Sequence, residues 1–277
     1  MIVDLHCHST VSDGVLSPQA LANRAIERGV GMLALTDHDS IGGLALLQKE
    51  ITDNNLDLQL ISGVEISTCW QNKDIHVVGL NFDPQSPLLT AYLLEQDDIR
   101  EQRARDIAAR LLKSKQIPDV YEGAKAIAGD AQITRSHVAR YLIQAGIVKD
   151  NASAFKKLLA RGQAGYVPSP WPSMASAIEV ITKSGGHAVL AHPMGYKLTG
   201  KWLRRLIVDF KAAGGHAIEV AGCQLAAQQR SQLGQYCLEY DLLASQGSDF
   251  HFPASWIELG RNLYLPKDAI GVWESWS

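Results

Sequence analysis

The 277-residue sequence predicts an α/β barrel interrupted by an all-helical insertion. Three observations predict it. Seven short apolar runs rich in Val, Ile and Leu recur along the chain and end in polar residues, as suits strands of a parallel sheet buried on both faces. Helical patterns closed by glycine separate several of them, which is the strand–helix repeat of a barrel. That rhythm stops between Ser86 and Pro168, where the pattern is helical throughout.

In order, the runs are Met1–Leu5, Met32–Leu35, Leu58–Ile61 with Val64–Ile66, Ile75–Leu80, Ala188–Leu190, Ala217–Val220 and Leu242–Ala244. Ser17-Pro18 opens the first helix, with Ser17 as N-cap and Pro18 in the first turn, and Gly29 closes it. Leu88–Leu112 is the longest helical run and lies in the interruption. Ser173–Ser184 and Lys201–Ala213 supply further helices, each followed by a glycine pair. The barrel is therefore expected to be discontinuous, over residues 1–98 and 168–277, with the helical insertion over 99–167.

Composition is that of an ordinary globular chain, 46% hydrophobic and 20% charged. No run approaches the ~18 apolar residues of a membrane span, and the N-terminus lacks the layout of a signal peptide. A cytoplasmic location is expected, without an obligate protein partner. Cys7, Cys69, Cys223 and Cys237 form no paired spacing and read as reduced thiols. Charge is uneven. Between Arg100 and Arg161 thirteen Lys/Arg stand against six Asp/Glu, a local +7, whereas the whole chain carries −3. A basic segment beside an acidic body suits an anionic substrate steered toward bound cations.

Residues of ligand type gather at the ends of the apolar runs. His6-Cys7-His8 ends the first, with Asp13 five residues on; Asp37-His38-Asp39 ends the second. Glu65 falls at the third and His76 at the start of the fourth; His192-Pro193 ends the fifth, and Asp249-Phe250-His251 follows the seventh. Functional residues of parallel barrels collect at one rim, in the loops after the strands. In a strand His6 and His8 point to one face and Cys7 to the other. Imidazoles and carboxylates without thiolates suit Mn²⁺, Fe²⁺ or Zn²⁺, and nine candidate ligands exceed what one ion needs. A site with two or three ions activates water and polarises a phosphoryl oxygen, so direct phosphoester hydrolysis is expected.

These residues, in Thr36-Asp37-His38-Asp39, Gly63-Val64-Glu65, Ala191-His192-Pro193 and Gly247-Ser248-Asp249-Phe250-His251 together with His6-x-His8, Asp13 and His76, resemble the motif set of the polymerase-and-histidinol-phosphatase (PHP) family. Ile133-Thr134-Arg135-Ser136-His137 resembles the insertion of its nucleotide-processing branch. The resemblance implies a distorted seven-stranded (β/α) barrel of PHP type holding three divalent ions, Mn²⁺ before Fe²⁺ or Zn²⁺. His6, His8, Glu65 and Asp249 would hold one; Glu65 would bridge to a second with His76 and His192; Asp13, His38 and His251 would hold the third. Asp249 would also orient or deprotonate the attacking water. It further implies 5′-to-3′ exoribonuclease and 3′,5′-nucleoside bisphosphate phosphatase chemistry, with 5′-phosphorylated RNA ends and 3′,5′-bisphosphonucleotides as partners. Arg135 and His137 would grip phosphate, with His137 protonating a leaving oxygen.

Tyr166 is a candidate stacking residue where the insertion returns to the barrel. Where relatives have Gly-Arg after His-Pro, this chain has Met194-Gly195, so Lys197 is the candidate basic replacement. His187 and His216 match no motif and are expected to be structural. Two other readings remain at this stage, a small-molecule phosphatase of the histidinol-phosphate type and a non-catalytic RNA-binding module.

Overall fold

The computed structural model describes residues 1–168 and 170–276. Seven strands form one sheet in chain order. They are β1 (Ile2–Asp4), β2 (Val30–Leu35), β3 (Gln59–Trp70), β4 (Lys73–Leu80), β5 (His187–Leu190), β6 (Ala217–Ala221) and β7 (Leu243–Gln246). Helices α1 (Pro18–Glu27) and α2 (Gly42–Asp53) connect the first three strands. Ser17 caps α1 by accepting from the Ala20 N–H, and the chain leaves the helix through Gly29 at φ 71°, a left-handed conformation cheap only for glycine.

β4 departs from the parallel arrangement, pairing antiparallel with both β3 and β5. Only Gln71 and Asn72, both at positive φ, separate β3 from β4. Two residues close a hairpin, whereas a parallel crossover needs a dozen or more. Reversal brings the start of β4, and with it His76, to the rim where the parallel strands end.

Alternate strand residues serve two clusters. Leu33, Leu35, Val64, Ile66, Val77 and Leu190 pack under the outer helices. Val3, Met32, Ala34, Ile61, Val78, Val189 and Ala217 form an inner cluster closed by Val272 and the half-buried Trp273 and Trp276. Between the outer strands, the Leu5 N–H donates to the Gln246 carbonyl at 3.0 Å, and Cys7 and Phe250 form an isolated parallel bridge. No β1–β7 ladder forms among the described residues.

The insertion opens with α3 (Pro87–Lys115), a 29-residue helix capped by Ser86. The expected boundary at 98/99 falls inside it. Its first half packs Leu89 and Leu93 into the barrel cluster. Its second half packs Ala104, Ile107 and Leu111 against α4 (Val120–Ala128), α5 (Arg135–Gln144), the short α6 (Asn151–Ala154) and the π turn Phe155–Leu159. The chain returns through α7 (Met174–Lys183), α8 (Gly200–Ala212) and α9 (Ala227–Glu239), which alternate with β5 to β7.

Candidate active site

Loops beyond the strand ends converge at the rim. The loop after β1 presents His6 and His8, the loop after β2 presents His38, and Glu65 comes from within β3. His38 and Glu65 are joined by a parallel bridge, with the Asp39 N–H donating to the Glu65 carbonyl at 2.9 Å. Asp37 fixes the first loop: its carboxylate accepts from the Ser9 N–H and Oγ–H, each at 2.7 Å, and from Ser12 Oγ–H at 2.6 Å. Asp13 lies one residue further on.

All nine expected ligands come together. Glu65 is fully buried at the centre. Its Oε1 lies 2.7 Å from His76 Nδ1 and 2.9 Å from His192 Nε2. Its Oε2 lies 3.3 Å from His6 Nε2, 3.2 Å from His8 Nε2 and 3.0 Å from His38 Nδ1. Asp249 Oδ1 approaches His8 Nε2 at 3.3 Å and His251 Nδ1 at 3.5 Å, and Asp13 Oδ1 approaches His251 Nε2 at 3.3 Å. One carboxylate thus faces two sets of imidazoles through its two oxygens.

The donor set fits divalent cations. His6 Nε2, both ring nitrogens of His8, His38 Nδ1, Asp13 Oδ1 and Glu65 Oε2 are buried and make no hydrogen bond among the described residues. Buried polar atoms left unpaired in such number call for a common partner. Four overlapping groups could each hold an ion: His6, His8 and Asp249; His6, Glu65 and His192; His38, Glu65 and His76; and His8, Asp13, His38 and His251. Burial alone would raise the carboxyl pKa of Asp13, Glu65 and Asp249, but the surrounding imidazoles hold all three below the usual range. They are thus in the ligating form. By contrast, burial pushes the Cys223 thiol up to about 11 and Cys237 to about 12, which keeps both as neutral thiols. His192 and Asp249 hold φ of 28° and 54°, and strained backbone of this kind, ~1–3 kcal/mol each, collects at functional sites.

Two cavities open onto the cluster, and their linings share no residue. The first, about 100 Å³, is lined by Asp13, His38 and His76 together with Arg100, Arg103 and Arg135. Arg100 donates to Asp39 Oδ2 at 2.7 Å and to Ser67 Oγ at 2.8 Å, while Arg103 and Arg135 approach Asp74 Oδ2 at 3.4 and 3.5 Å. Burial and the neighbouring Arg135 pull the Arg103 pKa down to about 10. The second cavity, about 510 Å³, takes in His192, Lys197, Glu219 and Asp249.

Arg135 and Lys197 therefore both reach the site, but in different cavities. His137 lies outside both cavity linings. It is buried inside the Thr134 capping box, where its Nδ1 accepts from the Thr134 N–H at 3.1 Å. Burial lowers its pKa to about 4, which favours the neutral imidazole. Tyr166 is half-buried and also lines neither cavity. His187 and His216 are structural: His216 Nδ1 accepts from the Ala188 N–H at 3.0 Å, and His187 Nδ1 accepts from Trp276 Nε1–H at 3.2 Å.

The sequence reading missed three kinds of residue. Glu219 accepts from His6 Nδ1–H at 3.2 Å and from the His192 N–H at 2.5 Å, so it aims both ligands. Ser136 donates to Asp13 Oδ2 at 2.7 Å, and Arg140 donates to the Asp13 carbonyl. Arg100 and Arg103 carried a readable signal, because they interrupt an otherwise apolar stripe of α3. Glu219 carried none, standing inside an apolar run whose facing direction only the fold decides.

The PHP domain family model matches residues 4–166. The chain is 51% identical to a 5′-3′ exoribonuclease of Haemophilus influenzae, over 98% of this chain and 97% of that one. It is 38% identical to a 3′,5′-nucleoside bisphosphate phosphatase of Chromobacterium violaceum, over 98% and 95%. A solved amidohydrolase structure from Chromobacterium violaceum, with bound sulfate, superposes with a TM-score of 0.91 at 37% identity, covering 99% of this chain and 95% of that one. On the ligand cluster, the topology and these matches, the chain belongs to the PHP domain family.

Proposed function

We propose that the chain is a metal-dependent phosphoesterase that hydrolyses the 3′-phosphoester of 5′-phosphorylated substrates. It removes 5′-mononucleotides stepwise from RNA and the 3′-phosphate from 3′,5′-nucleoside bisphosphates. One observation carries the reading: three residues of the ligand cluster, Asp13, His38 and His76, and three guanidiniums line one phosphate-sized cavity. A guanidinium fork suits bidentate phosphate binding. A 5′-phosphate held there leaves the neighbouring 3′-phosphoester at the ligand cluster. The relatives named for exoribonuclease and bisphosphatase activity support the same chemistry.

The ligands divide into three sets around Glu65: His6, His8 and Asp249; His76 and His192; Asp13, His38 and His251. Three Mn²⁺-type ions would complete them. When bound, such ions polarise the phosphoryl oxygens and lower the pKa of water. The remaining work falls to the chain. Arg100, Arg103 and Arg135 fix the substrate by its 5′-phosphate. Asp249 takes the proton of the attacking water, since its side chain is 41% exposed against 4% for Asp13 and 1% for Glu65. Its Oδ1 faces the imidazoles of His6, His8 and His251. His137 braces the N-terminus of α5, on which Arg135 stands.

The test is product analysis with Mn²⁺-loaded protein on a short 5′-phosphorylated RNA and on 3′,5′-bisphosphoadenosine. Stepwise 5′-mononucleotides and 5′-AMP plus phosphate are expected, with at least ~10²-fold loss in Asp249→Asn, the scale of general-base catalysis. Endonucleolytic fragments, or an active Asp249→Asn, would overturn the proposal.

A further inference from the structure

The second cavity has no part in holding the 5′-phosphate, yet it is the larger of the two and contains Asp249 and His192. Its chemistry also differs. The first cavity is walled by guanidiniums. The second has apolar walls from Met194, Leu225 and Ile257, the side-chain amides of Gln224 and Gln229, and the ammonium of Lys197. About 510 Å³ lies within the ~300–1,000 Å³ range of sites for ligands of nucleotide size. Apolar walls with a few amides accept a base through its faces and edges, and the amides offer both donors and acceptors.

An aromatic pair stands beside this cavity in the chain. Phe252 follows His251, and Trp256 precedes the lining residue Ile257. Both are exposed, at 40% and 53%, and their rings meet edge to face at 6.5 Å. Exposed aromatic faces beside a nucleic-acid site suit base stacking without sequence preference.

We propose that the second cavity is the subsite for the nucleotide on the 3′ side of the cleaved bond, and that Phe252 and Trp256 continue it for the following bases. The inference rests on the exoribonuclease reading and names the feature that separates RNA from a bisphosphate. In the reaction, water oxygen bonds to phosphorus and the bond from phosphorus to the 3′-oxygen breaks. The 3′-oxygen takes up a proton and leaves on the 5′-mononucleotide held by the arginines. Phosphorus stays on the 5′-oxygen of the next nucleotide, in the second cavity, and becomes the 5′-phosphate of the shortened RNA. A 3′,5′-bisphosphate presents no such nucleotide and leaves the cavity to solvent.

The experiment compares three substrates that share the same 5′-phosphoadenosine: its 3′-phosphate, its 3′-(methyl phosphate), and the dinucleotide with a second adenosine. In the wild-type protein, kcat/KM for the dinucleotide is expected to exceed that for the methyl diester by about 10-fold or more, from burial of the second base against the apolar wall. Leu225→Trp, which narrows the cavity from its apolar wall, and Trp256→Ala, at an exposed position, are each expected to lower kcat/KM for RNA relative to the bisphosphate. For Leu225→Trp the dinucleotide suffices; for Trp256→Ala a trinucleotide or longer is needed. Equal wild-type rates on methyl diester and dinucleotide, or unchanged ratios in both variants, would overturn the subsite alone. Cleavage of the bisphosphate with neither diester touched would instead overturn the exoribonuclease reading, and the subsite with it.

Discussion

At the scale of single residues, the first cavity concentrates positive charge that the protein only partly neutralises. Arg100 pairs with Asp39, whereas Arg103 and Arg135 approach the same oxygen of Asp74. An entering phosphate supplies the missing negative charge. Charge-assisted hydrogen bonds contribute ~1.5–3 kcal/mol. Arg103→Ala is therefore expected to reduce kcat/KM about 10- to 100-fold on 5′-phosphorylated RNA and far less on 5′-hydroxyl RNA; equal losses on both would deny Arg103 a phosphate role. His137 makes a separate prediction. Its folded pKa of about 4 lies below the ordinary 6.5, so the unfolded chain binds more protons between these values. Stability from this group is complete above pH 6.5 and declines as pH falls toward 4, by up to ~3 kcal/mol. Urea melts of the metal-free protein should show His137→Gln with a shallower acid decline than wild type. Parallel declines would contradict this reading.

At the scale of elements, α3 and α5 tie the insertion to the ligands. Along α3 the buried positions run Leu89, Leu93, Gln96, Arg100, Arg103, Ile107 and Leu111. Spacing of three and four residues places them on one face. The polar trio lies where that face crosses the rim. Gln96 and Arg100 donate to Asp39, next to His38, while Gln132 donates to the Asp39 carbonyl. On α5, Ser136 holds the Asp13 oxygen that points away from the imidazoles. Positioning contacts of this kind typically change metal affinity 10–100-fold. Ser136→Ala should weaken one ion while sparing the others, read by calorimetric Mn²⁺ titration. Loss of all ions together, or of none, would show that α5 does not aim Asp13.

At the scale of the whole molecule, the ligand cluster is a stability problem that cations solve. Strand ends from both halves of the sequence meet there, and buried nitrogens and oxygens face one another unpaired. An ion at 100 times its Kd adds ~2.7 kcal/mol, and 1 kcal/mol moves Tm by roughly 2–4 °C in a chain approaching this size. Chelation should lower Tm by at least about 5 °C, and Mn²⁺ should restore it. A melting point indifferent to chelator would leave the cluster without resident ions.

What the sequence determined by itself is local. Apolar runs buried on both faces marked the seven strands, Ser17-Pro18 and Gly29 marked α1, and polar residues beside the runs marked the nine candidate ligands that the fold brings together. These features depend on short-range periodicity and residue chemistry, which a linear reading contains. Tertiary structure alone decided the rest. β4 reverses because its hairpin has two residues, and the reversal carries His76 to the rim. The cavity arginines reach the candidate ligands because α3 runs on from the sheet into the helical segment, and Glu219 finds His6 across 213 positions of chain. His137, which the resemblance implied would grip phosphate, is buried in the cap of α5. Each of these depends on which surfaces pack together, and no window of the sequence contains that information.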